Sequence, residues 1–306
     1  MTTPLTPVTA PPPKAQAAGT TMAGRRDKTV SWLLRRGGLH LVLLIICLIW
    51  LVPTVGLFIT SLRPRPDIGS TGWWTILQAP GLSFDNYADV LGSKGMSAGF
   101  LNSLFISIPS TIIPVLVGAL AAYGFAWIKF PFRDTMFLIV VGLMVVPIQM
   151  TFVPVLSILN TLNLNQSYVG IWLAHSAFGL PFAIFLLRNF FVMLPGELIE
   201  AAFLDGASTL GIFIKIIMPL SVPALASLTI FQFLGVWNDL LMALIFIQDP
   251  NARPLTVKVS TLLSTYGTEW HLLSSGAFLI MIIPLIVFFA LQRYFVAGML
   301  GGAVKS

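Results

Sequence analysis

Five long stretches without a single Asp, Glu, Lys or Arg constrain this chain more than any other feature. Between Arg36 and Arg63 there are 26 such residues, between Lys94 and Lys129 34, between Asp134 and Arg188 53, and between Lys215 and Asp239 and between Glu269 and Arg293 23 each. A bilayer core about 30 Å thick needs about 20 mostly apolar residues per helix. The 53-residue run is too long for one span, and the polar cluster Asn160–Ser167 divides it in two. The expectation is six helices, at roughly 39–62, 98–127, 135–158, 168–188, 219–247 and 273–294. These are continuous apolar runs rather than alternating ten-residue strands, which excludes a β-barrel. Only 9% of the 306 residues are charged, against roughly 25% in soluble domains. Soluble enzymes are excluded, and the single cysteine, Cys47, excludes a disulfide scaffold.

Six spans put both termini on one side. With the N-terminus inside, the inner segments hold 12 of the 17 Lys and Arg residues and the outer segments 5. The positive-inside rule therefore favours N-in, C-in, in the plasma or inner membrane. Residues 1–38 are rich in Pro and Ala, then basic, without apolar periodicity, and read as a disordered cytoplasmic tail. The remaining organisation is a first span at 39–62, an extracytoplasmic loop at 63–97, a five-helix core at 98–294 containing a cytoplasmic loop at 189–218, and a cytoplasmic tail at 295–306. Aromatics such as Trp73, Trp74, Trp127 and Trp270 fall at span ends, as an interfacial belt requires.

Catalytic and metal-binding patterns are missing. There is no phosphate-binding G-x-x-x-x-G-K-[ST], no H-E-x-x-H and no C-x-x-C, and His40, His175 and His271 stand alone. Asp239 is the one acid inside an apolar span, whereas a proton-driven carrier more often has a relay of ionisable groups. A passage with no engine of its own fits best. A self-sufficient secondary carrier and an intramembrane enzyme are the rival classes.

The loop between the fourth and fifth spans carries most information. Pro195 suits a first helical turn, Glu197 and Glu200 sit near its positive end, and Gly206 suits a left-handed stop. A second short helix follows at about 209–217, with Leu210, Phe213 or Ile214, and Ile217 on one face. Such helices bury their apolar residues either on their own bundle, as a mere elbow, or on another protein.

Glu200-Ala201-Ala202, then Gly206, then Ile216 and Met218-Pro219, resembles the EAA loop of bacterial ABC-importer permeases: E-A-A, three residues, G, nine residues, I-x-L-P. Met218 replaces the usual Leu and keeps its size and apolarity. The stretch Glu200–Ala207 resembles the carbohydrate branch of that family. Asn102-Ser103-Leu104, Leu120–Ala126, Val236–Asp239 and the tail from Gln292 extend the likeness, the last resembling the maltose-permease G subunit type. The resemblance implies an all-α membrane protein with the type I ABC-importer permease fold and a cytoplasmic coupling helix. It implies a transmembrane subunit that passes a sugar, paired with a second permease subunit, an ATPase dimer and an extracytoplasmic sugar-binding protein. It also implies no cofactor in this chain, with ATP and magnesium on the partner ATPase. Glu200, Ala201, Ala202, Asp205, Gly206 and Ala207 would dock the ATPase. For the substrate path, Gln149, Asn238 and Asp239 are the polar groups inside spans, with Trp237 as an aromatic face. The other reading of Asn238 and Asp239 is helix packing.

Overall fold

A computed structural model describes residues 23–303 apart from 79, 94 and 266–269. It divides into two units, residues 1–55 and 56–306. The described part of the first unit is helical from Ala23 onward, in helix α1 (Ala23–Leu62), whose apolar stretch is Gly37–Leu62. The tail expected at 1–38 thus lies outside the described residues up to 22, and from Ala23 it is helix instead. No proline occurs between Pro13 and Pro53 to stop α1 from growing upstream.

In the second unit α2 (Arg65–Ser70), a 3₁₀ turn (Trp73–Leu77) and α3 (Asp85–Ser93) form the 63–97 segment. Buried Arg63 organises it. Its guanidinium donates to the carbonyls of Thr71 and Asp67 and to the hydroxyls of Thr71 and Thr75. Asn86 in turn donates to the carbonyls of Ser61 and Arg63.

Then come α4 (Met96–Trp127), α5 (Arg133–Leu143), α6 (Ile148–Thr161) and α7 (Tyr168–Val192). The loop after α7 contains α8 (Gly196–Leu204) and α9 (Thr209–Ile212), followed by a π-helical turn (Phe213–Ile217) and α10 (Met218–Leu220). The chain ends with α11 (Val222–Trp237), α12 (Leu241–Phe246), α13 (Leu255–Thr265) and α14 (Trp270–Ala303). No strand occurs among the described residues.

Four helices are long and apolar enough to cross a bilayer, and two bent pairs raise the number to six if each pair is one span. The third and fifth spans, expected as single helices at 135–158 and 219–247, are therefore broken. α5 and α6 meet at 102°, and α9–α10 meets α11 at 77°. At the first break, residues 144–146 wind down in tight turns, and Pro147 then leaves the helical region with ψ 119°. Proline disfavours helical backbone in the residue before it, which sets the break there. A further interruption at 238–240 separates α11 from α12. α14 runs on to Ala303, so helix replaces the tail expected from residue 295.

Five other prolines behave differently. Pro109 and Pro114 in α4, Pro154 in α6, Pro181 in α7 and Pro284 in α14 lie within continuous helix. A proline deprives the carbonyl four residues earlier of its partner. Three of these carbonyls take a donor from a neighbouring helix. Trp172 Nε1 reaches Phe105 O at 2.9 Å, Gln232 Nε2 reaches Ser110 O at 3.3 Å, and Trp237 Nε1 reaches Ile280 O at 3.0 Å. The helix breakers thus become cross-links between α4 and α7, α4 and α11, and α11 and α14.

α4 and α7 pack intimately because their facing residues are small. A Cβ placed on Gly118 would come within 2.7 Å of Ala183 Cβ. Close backbone approach through small residues is how helices associate where no hydrophobic driving force separates them from lipid.

Candidate functional site

Two regions gather the sequence candidates. The first is the loop containing α8. The helix ends in a Schellman motif: Gly206 adopts φ +76°, Gly206 N bonds Phe203 O at 3.1 Å, and Ala207 N bonds Ala202 O at 3.0 Å. Glycine accepts that left-handed conformation without a Cβ penalty. Ser208 then caps α9, its Oγ accepting from Gly211 N at 3.1 Å.

α8 has two unlike faces. Ile199 and Ala202 are buried in a core with Tyr123 of α4, Leu187 and Phe191 of α7, and Phe213 and Ile217. Tyr123 OH donates to Thr209 O at 3.1 Å and ties the loop to α4. The outer face exposes Glu197, Leu198, Glu200, Ala201, Phe203 and Leu204, the last at 89%. Neither glutamate has an ion pair among the described residues.

The π-helical turn follows from Pro219. Lacking an N–H, Pro219 cannot continue the α-helical ladder, and Met218 N bonds back five residues to Phe213 O.

The second region is a cavity of about 420 Å³ between α6, α7, α11 and the start of α12. Gln149, His175, Gln232, Asn238 and Asp239 supply its polar groups, and Phe152, Phe178 and Phe182 its aromatic walls. Asp239 divides its two oxygens. Oδ1 accepts from Leu241 N at 3.1 Å and Met242 N at 3.3 Å, capping α12. Oδ2 lies 3.7 Å from His175 Nε2. Asn238 donates to Leu234 O at 2.9 Å.

At the end of the bundle carrying the 162–167 loop, Asn102 of α4 clamps the 249–255 segment. Its amide donates to Asn251 O at 2.6 Å and Arg253 O at 3.1 Å, and its carbonyl accepts from Tyr168 OH at 2.9 Å. Ser103 Oγ accepts from Leu255 N at 2.8 Å. Lys258 donates to Gly95 O at 2.9 Å, and burial pushes its ammonium below the ordinary lysine range.

This arrangement agrees with a match of residues 114–301 to the family described as binding-protein-dependent transport system inner membrane component. The chain belongs to that family. It is thus a multi-pass inner-membrane permease component. The osmoprotective compounds uptake permease protein GgtD of Synechocystis sp. is 51% identical over 284 residues, covering 91% of this chain and 95% of that one. The alpha-glucoside transport system permease protein AglG of Rhizobium meliloti is 47% identical over 254 residues, covering 81% of this chain and 67% of that one. The permease fold is also that of a solved bacterial ABC transporter involved in import of the acidic polysaccharide alginate. The TM-score is 0.67 at 22% identity, over 91% of this chain and 100% of that one.

Against this geometry the permease's sequence candidates separate. Glu200, Ala201, Asp205 and Gly206 are exposed along α8 and its end, whereas Ala202 is buried and Ala207 half-buried against the core. Ala202 therefore packs on the bundle. Leu210 and Ile214 are exposed, and the buried face of the second short helix is Ile212, Phe213 and Ile217.

Gln149, Asn238 and Asp239 share the cavity, but Trp237 does not line it. Its indole is 2% exposed, stacks on Phe233 at 5.6 Å and spends its N–H on Ile280 O. One residue along a helix turns the side chain about 100°, which takes Trp237 away from the side that Asn238 shares with the cavity. His175 and Gln232 were missed as cavity residues. Each is a polar side chain in a largely apolar helix, the only signal available for either.

Proposed function

We propose that this permease forms the translocation path of an ATP-driven importer for a neutral glycoside delivered by an extracytoplasmic binding protein. The observation that carries the reading is the two-faced α8. Its inner face is locked into the α4–α7 core, and its outer face offers two unpaired carboxylates beside exposed Leu198, Phe203 and Leu204. A short helix with that outer face fits a cleft on a partner with a basic rim. That partner is the ATPase subunit, which carries ATP and magnesium; this chain carries neither and is not itself an enzyme. Both termini and α8 are cytoplasmic, in keeping with the distribution of Lys and Arg.

The substrate class rests on the relatives, whose names specify osmoprotective compounds and alpha-glucosides, and on the mixed amide and aromatic lining of the cavity. A second permease subunit completes the path.

Affinity purification of the tagged chain from native membranes in mild detergent tests the assembly. A second permease, an ATPase and a sugar-binding protein should co-purify. Glu200→Ala should weaken ATPase retention without loss of the second permease. A chain that purifies alone and transports solute unaided overturns the reading and favours a carrier, with Asp239 as the first residue to examine.

A further inference from the structure

A second cavity, of about 360 Å³, lies beside the 162–167 loop, at the end of α7 opposite α8. Four side-chain amides and one hydroxyl line it: Asn160, Asn165, Gln166, Gln248 and Ser157. Val153, Leu156 and Ile245 supply its apolar surface, and no charged residue borders it. Gln166 Nε2 donates to Gln248 Oε1 at 3.2 Å, joining the loop to the end of α12. Gln166 holds φ +56° and Asn163 φ +55°, a conformation uncommon for residues other than glycine, so the loop is held in a specific shape.

This cavity and the first are set along the same two elements. On α6 the inner cavity uses residues 148, 149 and 152, and the outer one 153, 156, 157 and 160. On α12 and its exit the inner cavity uses 241 and 242, and the outer one 245 and 248. On α6 these are i+3 and i+4 steps along one helix face, and 241 to 245 is one such step on α12, with Gln248 just past the extended Ile247 that ends it, so the two cavities succeed each other on one stripe along α6. From Gln149 to Asn160 that stripe rises about 16 Å at 1.5 Å per residue.

The side chains of Gln149, Ser157 and Asn160 form no hydrogen bond among the described residues. By contrast, Thr151 and Thr161, also on α6, satisfy their hydroxyls on Ile148 O and Ser157 O. Asn160 lies at the span end, but Gln149 and Ser157 lie within the expected third span, where unsatisfied polar groups facing hydrocarbon are costly. The stripe therefore faces water, a solute or another subunit.

We propose that the outer cavity is a second sugar station, upstream of the inner one on a common α6–α12 groove, and that it selects neutral polyhydroxyl solutes. The proposal rests on the glycoside-importer reading above. Amides supply paired donors and acceptors to adjacent hydroxyls. Among the lining side chains an acidic sugar finds no cation and a cationic solute no carboxylate, and the nearby guanidinium of Arg253 donates to Gln248 O at 3.3 Å. The inner cavity adds the carboxylate of Asp239, so an acidic solute that passed the first station would meet repulsion at the second.

The test uses the assembled importer in nanodiscs, with Cys47→Ser and either Ser157→Cys or Asn160→Cys in this chain. Modification by a water-soluble thiol reagent is read on the intact chain by mass spectrometry, in the resting and vanadate-trapped states. Both cysteines should be modified in at least one state. Saturating maltose or trehalose, with the binding protein present, should slow modification at least fivefold, and alginate oligomers or glycine betaine should not. Absence of modification in both states overturns the proposal, because the stripe is then covered by lipid or the partner permease. Modification that no neutral sugar slows, or that the acidic oligomer slows equally, also overturns it.

Uptake of labelled maltose and trehalose by the unaltered importer separates the two readings. Uptake without protection removes the outer station alone. Protection without uptake removes the α-glucoside assignment and leaves the station. Asn160→Ala gives a further readout, because it should change the ratio of maltose to trehalose uptake. A residue that merely docks the binding protein would scale both sugars alike, and an unchanged ratio counts against the station.

Discussion

Asp239 has one oxygen committed to backbone and one facing a cavity, so the two functions of the residue are separable by substitution. Asp239→Asn keeps an acceptor for Leu241 N and Met242 N and removes the charge beside His175. Asp239→Leu removes the cap as well. Loss of a capping side chain costs about 1 kcal/mol, so the Leu variant should unfold at lower temperature than the Asn variant in detergent. Asn should match the parent in that assay. In uptake, the Asn variant should raise KM roughly tenfold, the equivalent of about 1.4 kcal/mol. An unchanged KM in a stable Asn variant would leave the carboxylate a purely structural cap.

Gly118 gives a simpler prediction at the same scale. With Ala183 Cβ at 2.7 Å from the position of an added Cβ, Gly118→Val must force α4 and α7 apart. Overpacking of this kind costs about 1–3 kcal/mol. The variant should show a lower melting temperature than Gly118→Ala, which should itself fall below the parent.

Among the helices, whether a proline bends a span or breaks it depends on what reaches the carbonyl it orphans. Pro284 leaves Ile280 O free, and Trp237 of α11 takes it. Pro284→Ala restores a partner within α14, so Trp237→Phe should destabilise less in that background than in the parent. A net hydrogen bond of about 1 kcal/mol sets the expected coupling in a double-mutant cycle. Additive melting shifts would show that the indole contributes only packing.

The same point explains what could be read from the amino acids alone. The apolar runs and the stop at Gly206 were legible, because span length and the left-handed turn are local properties. Pro109, Pro114, Pro147, Pro154, Pro181 and Pro284 look alike in the sequence, however, and of these only Pro147 stands at a break, of 102°. The donors Trp172, Gln232 and Trp237 come from other helices and could not be assigned beforehand. Gln149, Asn238 and Asp239 were visible as polar groups in apolar segments. Their union with His175 and Gln232 in one cavity is tertiary, and the inward turn of Ala202 depends on how α8 seats against Phe213.

Taken as a whole, the bundle connects α8 to the inner cavity through shared helices. The core beneath α8 includes Ala183 and Leu187 of α7 and Leu228 of α11. The inner cavity uses His175 of α7 and Gln232 of α11. Eight residues from Ala183 to His175 are about 12 Å of helix, and four from Leu228 to Gln232 about 6 Å. A close-packed core transmits displacement because it does not deform continuously. Movement of α8 therefore reaches the cavity walls as motion of whole helices.

One contact in that chain is polar and specific. Tyr123 OH holds Thr209 O across the junction between α4 and the α8–α9 loop. Tyr123→Phe removes one hydrogen bond and keeps the ring packed on Phe213, whose centroid lies 5.2 Å away. The net value of such a bond, about 0.5–1.5 kcal/mol, converts to roughly a two- to tenfold change in an equilibrium. The assembled importer carrying this substitution should keep its subunit composition and its basal ATP hydrolysis. Sugar moved per ATP hydrolysed should fall by a factor within that range, measured in proteoliposomes with loaded binding protein. An unaltered ratio would mean that the apolar contacts of Ile199 and Ala202 suffice to carry the motion, and that the hydroxyl only orders the loop.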